Sequence, residues 1–244
     1  MAKFRVMNYH LNGLQTVRAQ ELCAQVIREQ NPDLVLLQAT GSRTAPERLL
    51  KLAHAAGLSL YQAVGETCCA FLAHHPLHNI QRLPLAFDAS CLRADFDLPD
   101  ERVHLYNFAL SMNPVQRLEQ VRILLSEEVL NNTAFPCATI ICGDFGLPLW
   151  GCGKLALNPR IVRSVHPETR ANYPAAFPLW GRGRVYFQGP VQSLAGSIIS
   201  TEQAKQASSH LPIVVTVETR DTRKAIKVRE ATTLRSKRAD PVCG

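Results

Sequence analysis

The 244-residue chain is short of several features that would each have narrowed its function. No apolar stretch approaches the roughly 20 residues that a membrane span requires. The first residues, MAKFRVMNY, run straight into a strand-like segment and lack the apolar centre of a signal peptide, so a cytoplasmic protein is expected. The eight cysteines are scattered singly except for adjacent Cys68 and Cys69, and no CxxC pair occurs. That pattern argues against a zinc ribbon or a disulfide framework and for buried reduced thiols. Acids are scarce too: 20 Asp and Glu against 27 Lys and Arg give a net charge of +7. The surplus sits mostly at one end. Residues 220–244 carry Arg220, Arg223, Lys224, Lys227, Arg229, Arg235, Lys237 and Arg238 against three acids, leaving the body near neutrality. Such a tail reads as a solvated, flexible segment, with nucleic acid or another anionic surface as the partner it would suit.

What is present is a globular composition, 46% hydrophobic and 19% charged, in a chain long enough to bury a sizeable core. Strand-like and helix-like stretches alternate along it. Strands are expected at residues 4–9, 34–38, 58–63, 69–74, 91–98, 104–110, 138–145, 183–191 and 210–218. Leu34–Gln38 is almost wholly apolar, as in a strand buried on both faces. Helices are expected at 16–30, stopped by Asn31 and Pro32, at 46–56, stopped by Gly57, and at 115–130, with Leu118, Val121, Leu125 and Val129 on one stripe. No short repeat and no low-complexity linker interrupts residues 1–219, which predicts one α/β domain followed by the basic tail at 220–244.

Seven segments, in order, carry a resemblance. FRVMNYHLNG, PDLVLLQAT, FLAHHPL, HLYNFALSMNPVQRLEQVRILL with its Arg117 and Gln120, TIICGDFGLP, ANYPAAFPLWGRGRVYFQG and SSHLPIVVTVE together span residues 4–218. They are similar to the successive motifs of the endonuclease/exonuclease/phosphatase (DNase I-like) family, and most similar to its compact bacterial branch. That resemblance implies a four-layered α/β sandwich, two mixed sheets flanked by helices. It also implies phosphoester hydrolysis with a divalent ion, usually Mg²⁺, held by carboxylates beside a histidine.

Residue by residue the chemistry departs from the family pattern. The glutamate after "LQ" is Ala39, the strand histidine is Ala109, the asparagine of "GDFN" is Gly146, and the aspartates of "LDRIY" and "SDH" are Gly183 and Ser209. Asn8, Asp144 and His210 remain. One carboxylate therefore stands where the motifs place four, and His210 lacks the acids that would orient it and raise its pKa. The expectation is a pseudoenzyme that binds or scaffolds, with no cofactor, and with Asp144 at most as a metal ligand. Mg²⁺ enters only in the alternative, a weak or repurposed phosphodiesterase or phosphatase recruiting Asp88, Asp95 or Glu66. A second alternative is a non-catalytic subunit of a larger complex.

The survivors also have a plainer account, as loop-bonding groups at strand ends and a satisfied core histidine. Arg182, Arg184 and Trp180 are candidates for a phosphate-containing ligand, and Trp180 and Trp150 for stacking on a base or a partner protein; a solvated turn and core packing are the plainer accounts. The run HHPLH at 74–78 reads as a surface loop. Cys68 and Cys69 have no base nearby in sequence that would make either a nucleophile.

Overall fold

The arrangement follows from which face each strand gives to which neighbour. A computed structural model describes residues 2–11, 14, 16–40, 46–64, 68–99, 101–130, 137–146, 160–167 and 171–219. The tail at 220–244, Trp150 and Glu66 lie outside the described residues. The strands are β1 (Lys3–His10), β2 (Leu34–Gln38), β3 (Ser59–Tyr61), β4 (Cys69–Ala73), β5 (Leu77–Pro84), β6 (Ser90–Leu98), β7 (Glu101–Ala109), β8 (Ala138–Asp144), β9 (Ile161–Arg163), β10 (Gly183–Gln188), β11 (Val191–Ile198) and β12 (Ile213–Thr219). The helices are α1 (Val17–Gln30), α2 (Pro46–Ala56), α3 (Pro114–Leu124) and α4 (Glu202–Ala207). They form two six-stranded sheets, ordered β11-β12-β1-β2-β4-β3 and β5-β6-β7-β8-β10-β9. Each is antiparallel except for one parallel pair, β1 with β2 and β7 with β8.

Three apolar layers hold this together. Met7, Tyr9 and Leu11 of the β1 segment pack with Leu22, Val26 and Ile27 of α1 and Leu49 and Leu52 of α2, outside the first sheet. Phe4, Val6, Leu34, Leu36, Phe71, Phe96, Leu105, Ile140, Val185 and Val215 fill the space between the sheets. Phe108, Val121, Leu124, Ile141, Phe145 and Tyr186 form the third layer, under α3. Two sheets with helices on both outer faces make a four-layered α/β sandwich. Among the described residues no helix is long and apolar enough to cross a membrane.

The helix boundaries obey their capping chemistry. The Thr16 hydroxyl accepts from the Ala19 N–H, and Asn31 ends α1 in the left-handed region at φ 42°. Gly57, at φ +73°, ends α2 in the same region, where a Cβ would be strained.

Several expected elements differ. α3 stops at Leu124, and its buried residues are Arg117, Gln120, Val121 and Leu124, whereas Leu118 is 73% exposed. The apolar stripe misled because two polar side chains turn inward. The Gln120 amide bonds the Ser111 N–H and the Ala86 carbonyl, and Arg117 donates to the Ser111 and Met112 carbonyls. The expected 183–191 strand is a hairpin of β10 and β11 turning at Gly189, φ +78°. β9 and α4 had no recognised signal, and part of the HHPLH loop belongs to β5, which starts at Leu77.

Candidate functional site

The layer between the sheets is apolar along most of its length and becomes polar at one end. Side chains alternate along each strand, so the positions that continue the apolar rows into this end are set by parity. On β1 the row Phe4, Val6 continues into Asn8 and His10; on β2 Leu34, Leu36 leads to Gln38; on β7 Val103, Leu105 leads to Asn107 and Ala109. On β8 Ala138, Ile140 and Cys142 lead to Asp144, opposite Gly183 of β10. His210 arrives from the loop before β12. Asn8, Asp144 and His210 are thus brought together and are all buried.

An amide ladder crosses between the sheets beneath the site. The Gln38 Nε2 donates to Asn8 Oδ1 and Asn107 Oδ1, each at 2.7 Å, and to the Leu36 carbonyl at 3.0 Å. Asn107 Nδ2 donates in turn to the carbonyls of Leu37 and Ala70 at 2.9 and 3.0 Å. Asn8 Nδ2 faces the Gly143 and Arg184 carbonyls at 3.5 and 3.4 Å. Asn8 is therefore a framework residue with every polar atom engaged.

Asp144 is held by a cation. Arg182 Nε donates to Oδ1 at 3.1 Å and Nη2 to Oδ2 at 2.5 Å, and the Gly146 N–H donates to Oδ1 at 2.9 Å. The guanidinium also lies 4.6 Å from the centre of the Tyr173 ring. Arg182 is only 8% exposed, so it is not a residue of a solvated turn. Arg184 is half-buried, donates to the Gly181 carbonyl and lies over the Phe145 ring at 5.2 Å. Trp180 is 40% exposed at a bridge to Tyr173, beside exposed Phe177 and Leu179.

Two histidines complete the cluster. The rings of His10 and His210 stack with centroids 4.0 Å apart, and Tyr173 covers the His210 ring at 4.5 Å. Ser209 Oγ is 2.9 Å from His210 Nδ1, so this serine orients the ring. The ring is therefore clamped, contrary to the expectation that loss of the acids would leave it poorly aimed. Burial drives the His210 pKa down to about 2, with His10 and Arg182 adding to the effect. Burial likewise lowers His10 to about 4, with Asp144 opposing and Arg182 assisting. Both rings are neutral near pH 7.

Positions 183 and 146 leave no room for a longer side chain without a shift of their neighbours. A Cβ at residue 183 would lie 2.7 Å from Asn172 Nδ2, 3.2 Å from Ile213 Cδ1 and 3.3 Å from Asn8 Nδ2. Asn172 fills that space, its Oδ1 accepting the N–H groups of Arg182 and Gly183 at 3.0 and 3.1 Å. At Gly146, φ +71°, a Cβ would meet Arg117 Nη1 at 2.8 Å. Ala39 sits at φ 55° at the end of β2. Of the alternative acids, the two among the described residues do not converge here. Asp95 is bonded to His104 and Asn79 at 2.7 Å each, on the outward side of β6, and Asp88 is exposed.

Sequence reasoning missed His10, Gln38, Asn107, Asn172 and Tyr173 as members of the site. Period-two alternation from Asn8 would have found His10, and the same step back from Ala109 would have found Asn107. Cys68 also lies close by. Its thiol is 3.7 Å from Cys69 Sγ, and that contact together with backbone bonds from Ala109 and Ser90 brings its pKa to about 7 against the effect of burial. An open groove of about 430 Å³, lined in part by Leu11, Ala175, Lys205, Ser208 and Ser209, runs up to the cluster.

The oxygen donors do not suit Mg²⁺. That ion wants near-octahedral oxygen ligands around one or more free carboxylates. Among the described residues Asp144 is the only carboxylate brought to the cluster, and Arg182 engages both its oxygens; the other two donors are ring nitrogens.

Comparison with protein-family models and with curated protein sequences finds no match. Comparison with solved structures does. D. rerio TDP2 complexed with a single-strand DNA product superposes with a TM-score of 0.72 at 15% identity, over 90% of this chain and 100% of that one. An endonuclease/exonuclease/phosphatase from Beutenbergia cavernae gives 0.66 at 18% identity, over 90% and 72%. A mannosyl-6-phosphatase from Bacteroides thetaiotaomicron gives 0.68 at 12% identity, over 88% and 99%. The fold is that of the endonuclease/exonuclease/phosphatase proteins, the DNase I-like sandwich.

Proposed function

We propose that this chain is a non-hydrolytic protein on the DNase I-like fold, which uses the cleft between its sheets and the adjoining groove to bind a ligand or a protein partner. The observation that carries this reading is the Asp144–Arg182 pair. A fixed guanidinium sits on both oxygens of the remaining carboxylate, supplying the positive charge that a divalent ion would otherwise bring. A buried bidentate pair of this kind is costly to open, because either partner alone would be left charged in a low-dielectric site. The two neutral histidines beside it are poor phosphate-charge stabilisers at neutral pH, and His210 as a general acid would need a pKa nearer the working pH.

Phosphate-containing ligands suit what remains. Arg184 and the exposed Trp180–Phe177 rim lie beside the cluster, and Lys205 lines the groove. TDP2 from D. rerio is complexed with a single-strand DNA product, which supports nucleic acid as a ligand of this face, with the basic 220–244 tail adding counter-charge. A residual Mg²⁺-dependent phosphoesterase and a non-catalytic subunit of a larger complex are the rival readings.

The discriminating experiment assays the full chain with Mg²⁺ or Mn²⁺ on bis(p-nitrophenyl) phosphate, p-nitrophenyl phosphate and a single-stranded oligonucleotide. Turnover is expected to equal that of the Asp144→Asn protein, while the oligonucleotide binds with a steep salt dependence. Robust metal-dependent turnover that Asp144→Asn abolishes would overturn the reading.

A further inference from the structure

We propose that Cys68 and Cys69 form a dithiol site that hydroperoxides oxidise, Cys68 taking up the oxygen and Cys69 closing a reversible disulfide. The two sulfurs stand 3.7 Å apart. Cys68 is half-buried, so a small oxidant reaches it, whereas Cys69 is fully buried. Cys68 immediately precedes β4 of the first sheet. Its sulfur faces the backbone N–H groups of Ser90 and Ala109, which open β6 and close β7 in the second sheet. The thiol thus sits at the polar end of the cleft, where Ala109 is paired with Asp144.

No separate base is needed to make Cys68 reactive. Hydrogen bonding from the Cys69 S–H, opposed by burial and helped by the N–H groups of Cys68, Ala109 and Ser90, brings the Cys68 thiol down to about 7. Burial pushes the Cys69 thiol well up, so Cys69 stays protonated and is the donor of the pair. A partly ionised, accessible thiol beside a second thiol is the arrangement of redox-reactive cysteines. Cys137, the other half-buried cysteine among the described residues, serves as an internal reference.

The Cys68 thiolate attacks one oxygen of the peroxide. The S–O bond forms as the O–O bond breaks, the sulfur loses two electrons to the peroxide, and the leaving oxygen takes a proton from solvent and departs as water or an alcohol. The Cys69 sulfur then displaces the hydroxyl of the sulfenic acid, which leaves with the Cys69 proton as water. The resulting ring is strained, because adjacent Cα atoms lie about 3.8 Å apart, below the roughly 4.4–6.8 Å of ordinary disulfides. The chain around it is also tied: the Cys68 carbonyl accepts the Thr40 N–H at 3.0 Å, and Cys69 is paired with Gln38. Strain makes the bond easier to reduce, so a thiol reductant reopens it. Closure pulls on Gln38, the centre of the amide ladder, and removes the sulfur charge that the Ser90 and Ala109 N–H groups serve across the sheets.

Reduced full-length protein is treated with hydrogen peroxide and mapped by mass spectrometry. We expect the peptide holding Cys68 and Cys69 to lose two hydrogens and dithiothreitol to restore them. In Cys69→Ala, Cys68 should stop at the sulfenic acid, which dimedone traps. Iodoacetamide labelling of Cys68 against pH should have its midpoint near 7. At neutral pH it should run about threefold faster than an ordinary thiol, the larger thiolate fraction being partly offset by lower nucleophilicity. Cys69→Ala should move that midpoint upward, and Cys69→Ser, which keeps a donor, should hold it near 7. Near-ultraviolet circular dichroism checks that each variant is folded, and the peptide map and pH profile of the unaltered chain need no variant. A Cys68 midpoint at or above about 8.5, a midpoint unmoved in Cys69→Ala, oxidation first at Cys137, or an oxygen retained on Cys68 of the unaltered chain would each overturn the site. None of these readouts is turnover or ligand binding, so this site and the proposed function fail separately.

Discussion

Replacing Arg182 with methionine tests the centre of the site most directly. The side chains of Arg182 and Asp144 are 10% and 3% exposed, and two hydrogen bonds join them. Arg182→Met keeps much of the aliphatic stem but leaves Asp144 charged, with the Gly146 N–H and two neutral rings as its remaining neighbours. Removing one partner of a buried pair costs about 3–5 kcal/mol, far above the 0–1 kcal/mol of a surface pair. With a urea m-value of about 2 kcal/mol/M, the unfolding midpoint should fall by roughly 1.5–2.5 M. Asp144→Leu alone should cost a similar amount. The double variant removes both charges and leaves mainly the Gly146 N–H unpaired, at about 1–3 kcal/mol. The cycle should therefore show a coupling of several kcal/mol, measured by urea unfolding with fluorescence and far-ultraviolet circular dichroism in parallel. Two results would refute the reasoning: a loss below 1 kcal/mol for Arg182→Met, or single-variant costs that simply add.

Three further outcomes follow from the same geometry. Both histidine pKa values are lowered in the folded chain, to about 4 and about 2 from an ordinary value near 6.5, so the unfolded chain binds more protons at mildly acid pH. Stability should be fully present above about pH 6.5 and fall as pH drops toward 4, by roughly 3 kcal/mol from His10 alone, and His10→Gln should flatten that slope in urea titrations at stepped pH. Gly183→Asp, the acid the resemblance would lead one to expect there, should destabilise by about 1–3 kcal/mol or more and create no Mg²⁺ binding, because its Cβ meets Asn172 at 2.7 Å; calorimetry of melting and of Mg²⁺ titration checks both arms. Gln38→Leu strips the donor shared by Asn8 and Asn107 and should cost roughly 1–3 kcal/mol for each buried acceptor left bare, with a wild-type midpoint showing the ladder to be dispensable.

Much of this molecule was legible in its sequence because two of its signals are local. Hydrophobic runs such as Leu34–Gln38 and stops such as Asn31 and Gly57 depend on near neighbours along the chain, so β1, β2, β4, β6, β7, β8 and β12 and α1 and α2 were readable to within a few residues, whereas the more exposed β5 and β11 were missed. α3 was misjudged because inward Arg117 and Gln120 carry no apolar signature, and β9 and α4 are too short to show a period. The order of seven motif-like segments pointed to the DNase I-like sandwich, and superposition on its solved structures bears that out.

The chain's sequence by itself determined that positions 39, 183 and 209 carry alanine, glycine and serine and that Asn8, Asp144 and His210 stand at strand ends or beside them. Only the tertiary structure decided what those last three residues do. Asn8 is absorbed into an amide ladder with Gln38 and Asn107, residues 30 and 99 positions away from it. Asp144 is taken by an arginine 38 residues later, and His210 is stacked on a histidine 200 positions earlier. Such pairings have no period and no neighbouring signal along the chain. They arise where parallel strand ends from two sheets meet, and burial there lets hydrogen bonds and pKa values be set by groups the sequence keeps far apart.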